Sequence, residues 1–490
     1  MCADMADTLS PPEEHAMTLA DSHVADALQM YRPAQETPGE IVLPLIGSVP
    51  QELRGTLYRN GPADWDHGGF RAAHPFDGDG LVVKFTIDNG EIRFRSRFVD
   101  TPKRRKEARG RGAHVRGIYT QGKHLWDNIG RQPADAANTH AVLHADRLLA
   151  LSDGGRPWEI HTDDLSTIGP CTFGGQLPRF SRFSPHPRID PVTGELFNFG
   201  LDISPSLTGA TVACLRCFRV DPNGALKQVA KIPTDHIYIQ HDFAITPTYL
   251  VFALAPITVD PIRAAWAGLG LRALGDSADY RPEQGMKIVL VPRDGGPHRV
   301  IECDPLVYVH VDNAYEDGDD VVLDILRHRD FGFLTSGLKQ FRTQAPTLGW
   351  PTRLRITRTG RVHVTDYPTD PAEFPTHDDR RTGREHRYTY LSAQSRPDQN
   401  VIVKLDRITD TQRHHTFAPG LVAGEPIFVP KSPTADEDEG WILTVAYNSG
   451  SHRTELHILD AHAVEDSALA IAILPGHHFP GFHGSFTDRI

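Results

Sequence analysis

The chain has 490 residues, 39% of them hydrophobic and 23% charged, proportions of a globular protein with a sizeable core and not of a disordered one. A formal net charge of -12 excludes the basic face that a nucleic-acid binder needs to neutralise phosphates. No apolar run approaches the roughly 18 residues of a bilayer span.

In chain order, residues 1–38 read as an N-terminal arm, mobile or partly helical. Its start, MCADMADTLSPPEEHA, is acidic and lacks the apolar segment of a secretory signal. From residue 39 onward short alternating strands are joined by tight-turn residues. LVVKFTI and EIRFRSRF flank Asp88-Asn89-Gly90, the signature of a two-residue hairpin. A basic run at residues 103–111 (KRRKEARGR) reads as a solvated surface, with an anion or headgroup contact as the alternative. The hairpin grammar recurs in RIDPVTGELFNFG, CLRCFRVDPNGALKQVAKI, KIVLVPRDGGPHRVI, RLRITRTGRVHVTDY and WILTVAYNSGSHRTELHIL. Only residues 259–274 invite a helix.

So many short strands over one chain predict an all-β fold in which residues 39–490 form a single closed β-propeller, since closure removes exposed strand edges. At about 60 residues per blade, somewhat above the kelch repeat length, the chain makes seven. A pair of stacked sandwiches is the competing architecture. The cysteines are Cys2, Cys171, Cys214, Cys217 and Cys303, a sparse odd set that fits a reducing, cytoplasmic setting. Cys214 and Cys217 form a CxxC, but within a strand an i, i+3 pair points to opposite faces, against a zinc site.

Of 26 histidines, four stand beside strand ends or small-residue turns: His186, His241, His310 and His483. The intervals between them are 55, 69 and 173 residues, close to one, one and three blades. Equivalent positions on different blades can converge on the propeller axis. Spacing alone does not single these four out of 26.

Several ordered motifs resemble the carotenoid cleavage oxygenases: TLYRNGP (56–62), HPFDGDGLV (74–82), ANTH (137–140), HPRIDP (186–191), HDFAIT (241–246), AGEPIFVP (423–430) and HGSF (483–486). The similarity runs from about residue 40 to the C-terminus and is nearest the bacterial apocarotenoid oxygenases that release retinal. The resemblance implies a seven-bladed propeller capped by loops and helices over an axial Fe(2+), with His186, His241, His310 and His483 as ligands. It also implies three carboxylates that accept the Nδ1–H of three ligands: Glu373, Glu425 and Asp153. The family has Glu where Asp153 stands. An Asp is one methylene shorter, about 1.3 Å on ordinary bond lengths, which leaves its ring contact direct, water-bridged or lost. Thr139 matches a residue whose methyl crowds an open coordination position. Four neutral imidazoles suit iron, and a six-coordinate ion keeps two positions for O2 and substrate or water.

The implied reaction is oxidative scission of a conjugated C=C in a lipophilic substrate. An apolar tunnel is then expected, with Phe76, Phe243, Tyr308 and Phe482 as candidate walls or, alternatively, core. Residues 256–275 place Ile262, Trp266, Leu269 and Leu274 at near-helical intervals. They either dip into a membrane, making the protein peripheral, or pack on the propeller. Two rival functions stay open: a stilbene-cleaving member of the same family, and a non-enzymatic propeller serving as a binding platform.

Overall fold

A computed structural model describes residues 28–67, 70–109, 115–205, 211–332, 348–396 and 399–490. Its main sheets are seven antiparallel blades. The alternation read from the sequence sets their faces. In Glu91–Phe98, Ile92, Phe94, Ser96 and Phe98 are buried while Arg93, Arg95 and Arg97 are partly exposed, the period-2 pattern of a strand with one wet face. Asn89 and Gly90 take positive φ of 50° and 78°, as a two-residue hairpin turn requires.

Blade 1 runs, outermost to innermost, Thr37–Val42, Glu91–Phe98, Asp79–Asp88, Gly55–Asp64 and then His483–Thr487 from the far end of the chain. Blades 2 to 6 start, at their inner strands, with His140–His144, Arg188–Ile189, Ala244–Ile245, Val307–Asp317 and Ala372–Thr376. Blade 7 starts with Leu421–Pro430 and receives Leu45–Gly47 as its outer strand. Blades 1 and 7 are therefore each stitched from both ends of the sequence, which closes the ring. Every junction between neighbouring blades carries its own apolar cluster, so the core is a ring of seven packed seams.

The expected arm lies outside the described residues up to residue 27. Leu28–Tyr31 is a 3-10 turn whose Tyr31 packs on Trp65 and Phe479, and Thr37–Val42 is already blade. The basic run is not a free surface. Pro102–Glu107 is helical, and Lys103 is buried between Asp79 (2.8 Å) and Glu107 (2.7 Å). Cys214 and Cys217 lie in strand Thr211–Val220, and the four described cysteines are free thiols.

The helix expected within 259–274 spans Pro261–Gly268, capped by Asp260, which accepts the Arg263 N–H. It presents Ile262, Trp266 and Leu269 to solvent, with Leu271 exposed and Leu274 half-buried. Leu271, and not Leu274, therefore completes the apolar row. Loop 122–131 lies alongside: Gly130 N–H donates to Gly268 O, and the buried Arg116 guanidinium joins Ala267 O to Asn128 O. That loop adds exposed Leu125, Trp126 and Ile129. Two segments far apart in sequence thus form one apolar surface, its tryptophans 70% (Trp126) and 56% (Trp266) exposed. Patches of this kind mark an interaction face. No helix among the described residues is long and apolar enough to cross a membrane.

Candidate metal centre

His186 and His241 lie just before the inner strands of blades 3 and 4, His310 within that of blade 5, and His483 opens the inner strand of blade 1. The ligand spacing is thus one, one and three blades, because the last step passes blades 6 and 7 before closing onto blade 1. One nitrogen from each of the four falls within 4.8 Å of the others. His310 stands where the blade 5 register slips on both sides of Val311. Slips also bracket Glu373 in blade 6 and Glu425 in blade 7. Bulges re-aim side chains that a regular pleat would send elsewhere, and here they turn three residues inward.

Three rings point Nδ1 outward. His310 donates to Glu373 Oε2 at 2.5 Å and His483 to Glu425 Oε1 at 2.8 Å. His241 Nδ1 lies 2.9 and 3.0 Å from the two Asp153 oxygens, so the shorter acid makes its contact directly. It does so in the open: the Asp153 side chain is 39% exposed, against 11% for Glu373 and 8% for Glu425. His186 has Asp242 at 3.8 Å, but that carboxylate already takes Arg188 and the Val311 and Phe243 N–H groups. Asp242 thereby ties blades 3, 4 and 5 together beneath the histidines.

With Nδ1–H turned outward, bare Nε2 lone pairs face inward. His186 Nε2 is 2.9 Å from His241 Nε2, and His310 Nε2 is buried with no hydrogen-bond partner. Converging lone pairs repel unless a cation sits among them, so the donor set fits a divalent metal. Burial, reinforced by the neighbouring histidines, keeps His186 and His483 neutral far below the usual imidazole range. Burial alone would also lower His241, but the Asp153 charge outweighs it and raises that group. Burial alone would raise Glu373, yet His310 and His328 hold it well below the usual carboxylate range.

Other expected residues separate into two groups. Thr139 touches the centre through its backbone: its carbonyl accepts the His483 N–H, while its hydroxyl turns to Asn138. Phe76 and Phe482 meet edge-on at 5.5 Å, part of an aromatic wall that continues through Tyr119 and Phe479. Phe243 and Tyr308 are not on that wall. Phe243 stacks on Phe252 in the seam between blades 3 and 4. Tyr308 lies in the seam between blades 4 and 5, its hydroxyl donating to Ala253 O and accepting from Gln240. Both are core side chains beside motif residues.

Sequence reasoning missed Phe374, Arg59, His140 and His328. Phe374 packs on His310 and His483, at 5.7 and 5.5 Å between ring centres, and takes a φ of +56° that a bulky residue adopts only under constraint. Arg59 is fully buried, pairing with Glu425 and donating to the carbonyls of Glu425, Pro480 and Phe482. A side chain at Gly484 would strike Tyr58 O and the Arg59 Cγ, so glycine is needed for Arg59 to pass. His140 bridges Pro185 O (2.7 Å) and Gly484 O (3.1 Å), the residues next to His186 and His483.

Comparison with known proteins agrees with this geometry. The family model of the retinal pigment epithelial membrane protein matches residues 31–488, and the chain belongs to that family, the carotenoid cleavage oxygenases. It is 33% identical to the apocarotenoid-15,15'-oxygenase of Synechocystis, over 90% of this chain and 92% of the relative. It is 28% identical to resveratrol cleavage oxygenase 1 of Aspergillus fumigatus, over 91% and 92%. A solved structure of cobalt-substituted Synechocystis apocarotenoid oxygenase superposes with a TM-score of 0.86 at 32% identity, covering 95% of this chain and 98% of the other. The four-histidine group and that metal-substituted relative point to a metal site.

Proposed function

We propose that the protein is a non-haem Fe(II) dioxygenase that cleaves one conjugated C=C of an apocarotenoid, giving two carbonyl products of which one is retinal. The observation that carries this reading is the ring of four inward lone pairs backed by three carboxylates, in a chain 33% identical to an apocarotenoid oxygenase. Fe(II) held there would supply the O2-activating chemistry, each oxygen atom ending in one carbonyl.

The protein's own part is binding, aim and exclusion of water. Glu373 and Glu425 fix the tautomer and plane of His310 and His483. Neutral imidazoles add no charge of their own, so the ion keeps its full 2+. Phe76, Phe482 and Phe374 offer flat apolar faces along which a polyene can lie beside the histidines. Tyr119 extends this wall towards the exposed patch: it stacks on His74 and fills the space beside Gly275. We read the patch formed by residues 122–131 and 256–275 as a surface resting on a membrane, from which a lipophilic substrate is drawn, in a cytoplasmic protein with free thiols.

The stilbene reading has one supporting observation, the likeness to the resveratrol oxygenase. Within the basic run, Lys103 is committed to Asp79 and Glu107 and is not free to meet a phenol. Protein loaded anaerobically with Fe(II) and given O2 with an apocarotenal or a hydroxystilbene separates these readings. Retinal from the first, absent after chelation and in His241→Ala, is the expected outcome. Phenolic aldehydes from the second alone would move the chain to the stilbene branch. No iron-dependent product from either would leave a propeller without this chemistry.

A further inference from the structure

The carboxylates behind His310 and His483 are built alike. Glu425 gives Oε1 to His483, and its Oε2 accepts from Arg59 (3.0 Å) and the Gly484 N–H (2.9 Å). Glu373 gives Oε2 to His310 and the Phe374 N–H, and its Oε1 accepts from His328 Nε2 at 2.5 Å. In each case one oxygen holds the inward-facing imidazole and the other is held by a buried nitrogen donor from a different strand. Asp153 differs, because both its oxygens approach His241 Nδ1.

The distinction matters because the terminal torsion of a carboxylate side chain is broad and twofold. An acid bound through one oxygen can turn about its last bond, and the imidazole it holds turns with it. Binding the second oxygen removes that freedom. At Glu425 the second anchor is a guanidinium. At Glu373 it is a histidine whose side chain is 1% exposed and which stands at the end of Asp320–His328 in blade 5. The surrounding backbone holds this contact in place. Gly349 and Ala372, the residue before Glu373, exchange both backbone hydrogen bonds at 2.9 and 2.7 Å, and a Cβ on Gly349 would lie 3.0 Å from His328 Nε2. Glycine there lets the imidazole lie against the Glu373 strand.

We infer that His328 is a positioning residue for the metal centre, locking Glu373 so that His310 presents Nε2 in one fixed direction. His328 contacts no metal donor itself and acts through Glu373. The inference rests on the proposed Fe(II) site.

The test compares His328→Phe, which keeps an aromatic ring but no donor, with His328→Gln, which restores an N–H near the same place. The readout is Fe(II) retention against a competing chelator, with thermal melting of the iron-free proteins alongside. Outer partners of metal-ligand histidines are worth about 10–100-fold in metal affinity. His328→Phe should lose iron retention by that factor and His328→Gln should recover to within a few-fold. Equal retention in His328→Phe and the parent would overturn the inference, as would a His328→Gln that loses iron like His328→Phe. If His328→Phe does not fold, Gly349→Ala decides by pressing on the imidazole: weakened retention supports the inference and unchanged retention overturns it. A parent protein that binds no iron sinks the metal reading itself, an outcome distinct from variants that merely match the parent.

Discussion

His478 shows what a buried imidazole outside the centre does. Its ring packs edge-on to Phe94 at 5.5 Å, and its Nδ1 has no hydrogen-bond partner. Burial drives its pKa from 6.5 to about 3. The unfolded chain therefore holds the extra proton between those values and the folded chain does not, so stability is lost as pH falls from 6.5 towards 3. At pH 5 this group alone costs about 2 kcal/mol relative to neutral pH. His478→Leu should flatten the decline in denaturant stability between pH 7 and pH 5 by roughly that amount, and an unchanged decline would refute the assignment. At this same scale the sequence was only partly legible. The four metal-site histidines and Glu373 and Glu425 stood out because each sits in a motif beside prolines or glycines. Arg59 and His328 did not, because each contacts its acid across a distance that only the folded ring closes. Phe243 and Tyr308 misled because an aromatic next to a motif histidine can face a seam as readily as a tunnel.

Elements explain the rest of what could and could not be read. Hairpins were visible from alternation and turn residues, whereas the bulges that aim His310, Glu373 and Glu425 leave no periodic trace. The helix at Pro261–Gly268 was visible, but its partner loop was not, since HLWDNI has no repeat to detect. Together they place Trp126 and Trp266 on one exposed face. Burying a large apolar side chain is worth roughly 1.5–3 kcal/mol, or about tenfold or more in partitioning per residue. The double variant Trp126→Ser, Trp266→Ser should fall off phospholipid vesicles in a sedimentation assay by about 100-fold, while cleaving detergent-dispersed substrate as before. Undiminished sedimentation would mean that the patch faces something other than lipid.

For the whole molecule, the count of seven blades followed from chain length and hairpin density, and the structure adds how the ring is fastened. Blade 1 waits for His483–Thr487, whose His483 pairs with Asn60 at the opposite end of the fold. Contacts so distant in sequence form late, because loop-closure entropy must be met first. His186, His241 and His310 lie on consecutive blades and can come together before that strand docks. For a time the protein is therefore an open three-imidazole chelator, and three neutral nitrogens with a vacant fourth place suit Zn(2+) or Cu(2+) better than Fe(2+). Metal choice is then a matter of timing: whichever ion is free when the last strand seats is sealed in. Refolding in equal Zn(2+) and Fe(2+) should give zinc-filled, inactive protein by elemental analysis, whereas zinc offered to the closed, iron-loaded fold should exchange slowly. Equal zinc uptake by both routes would show that closure guards nothing.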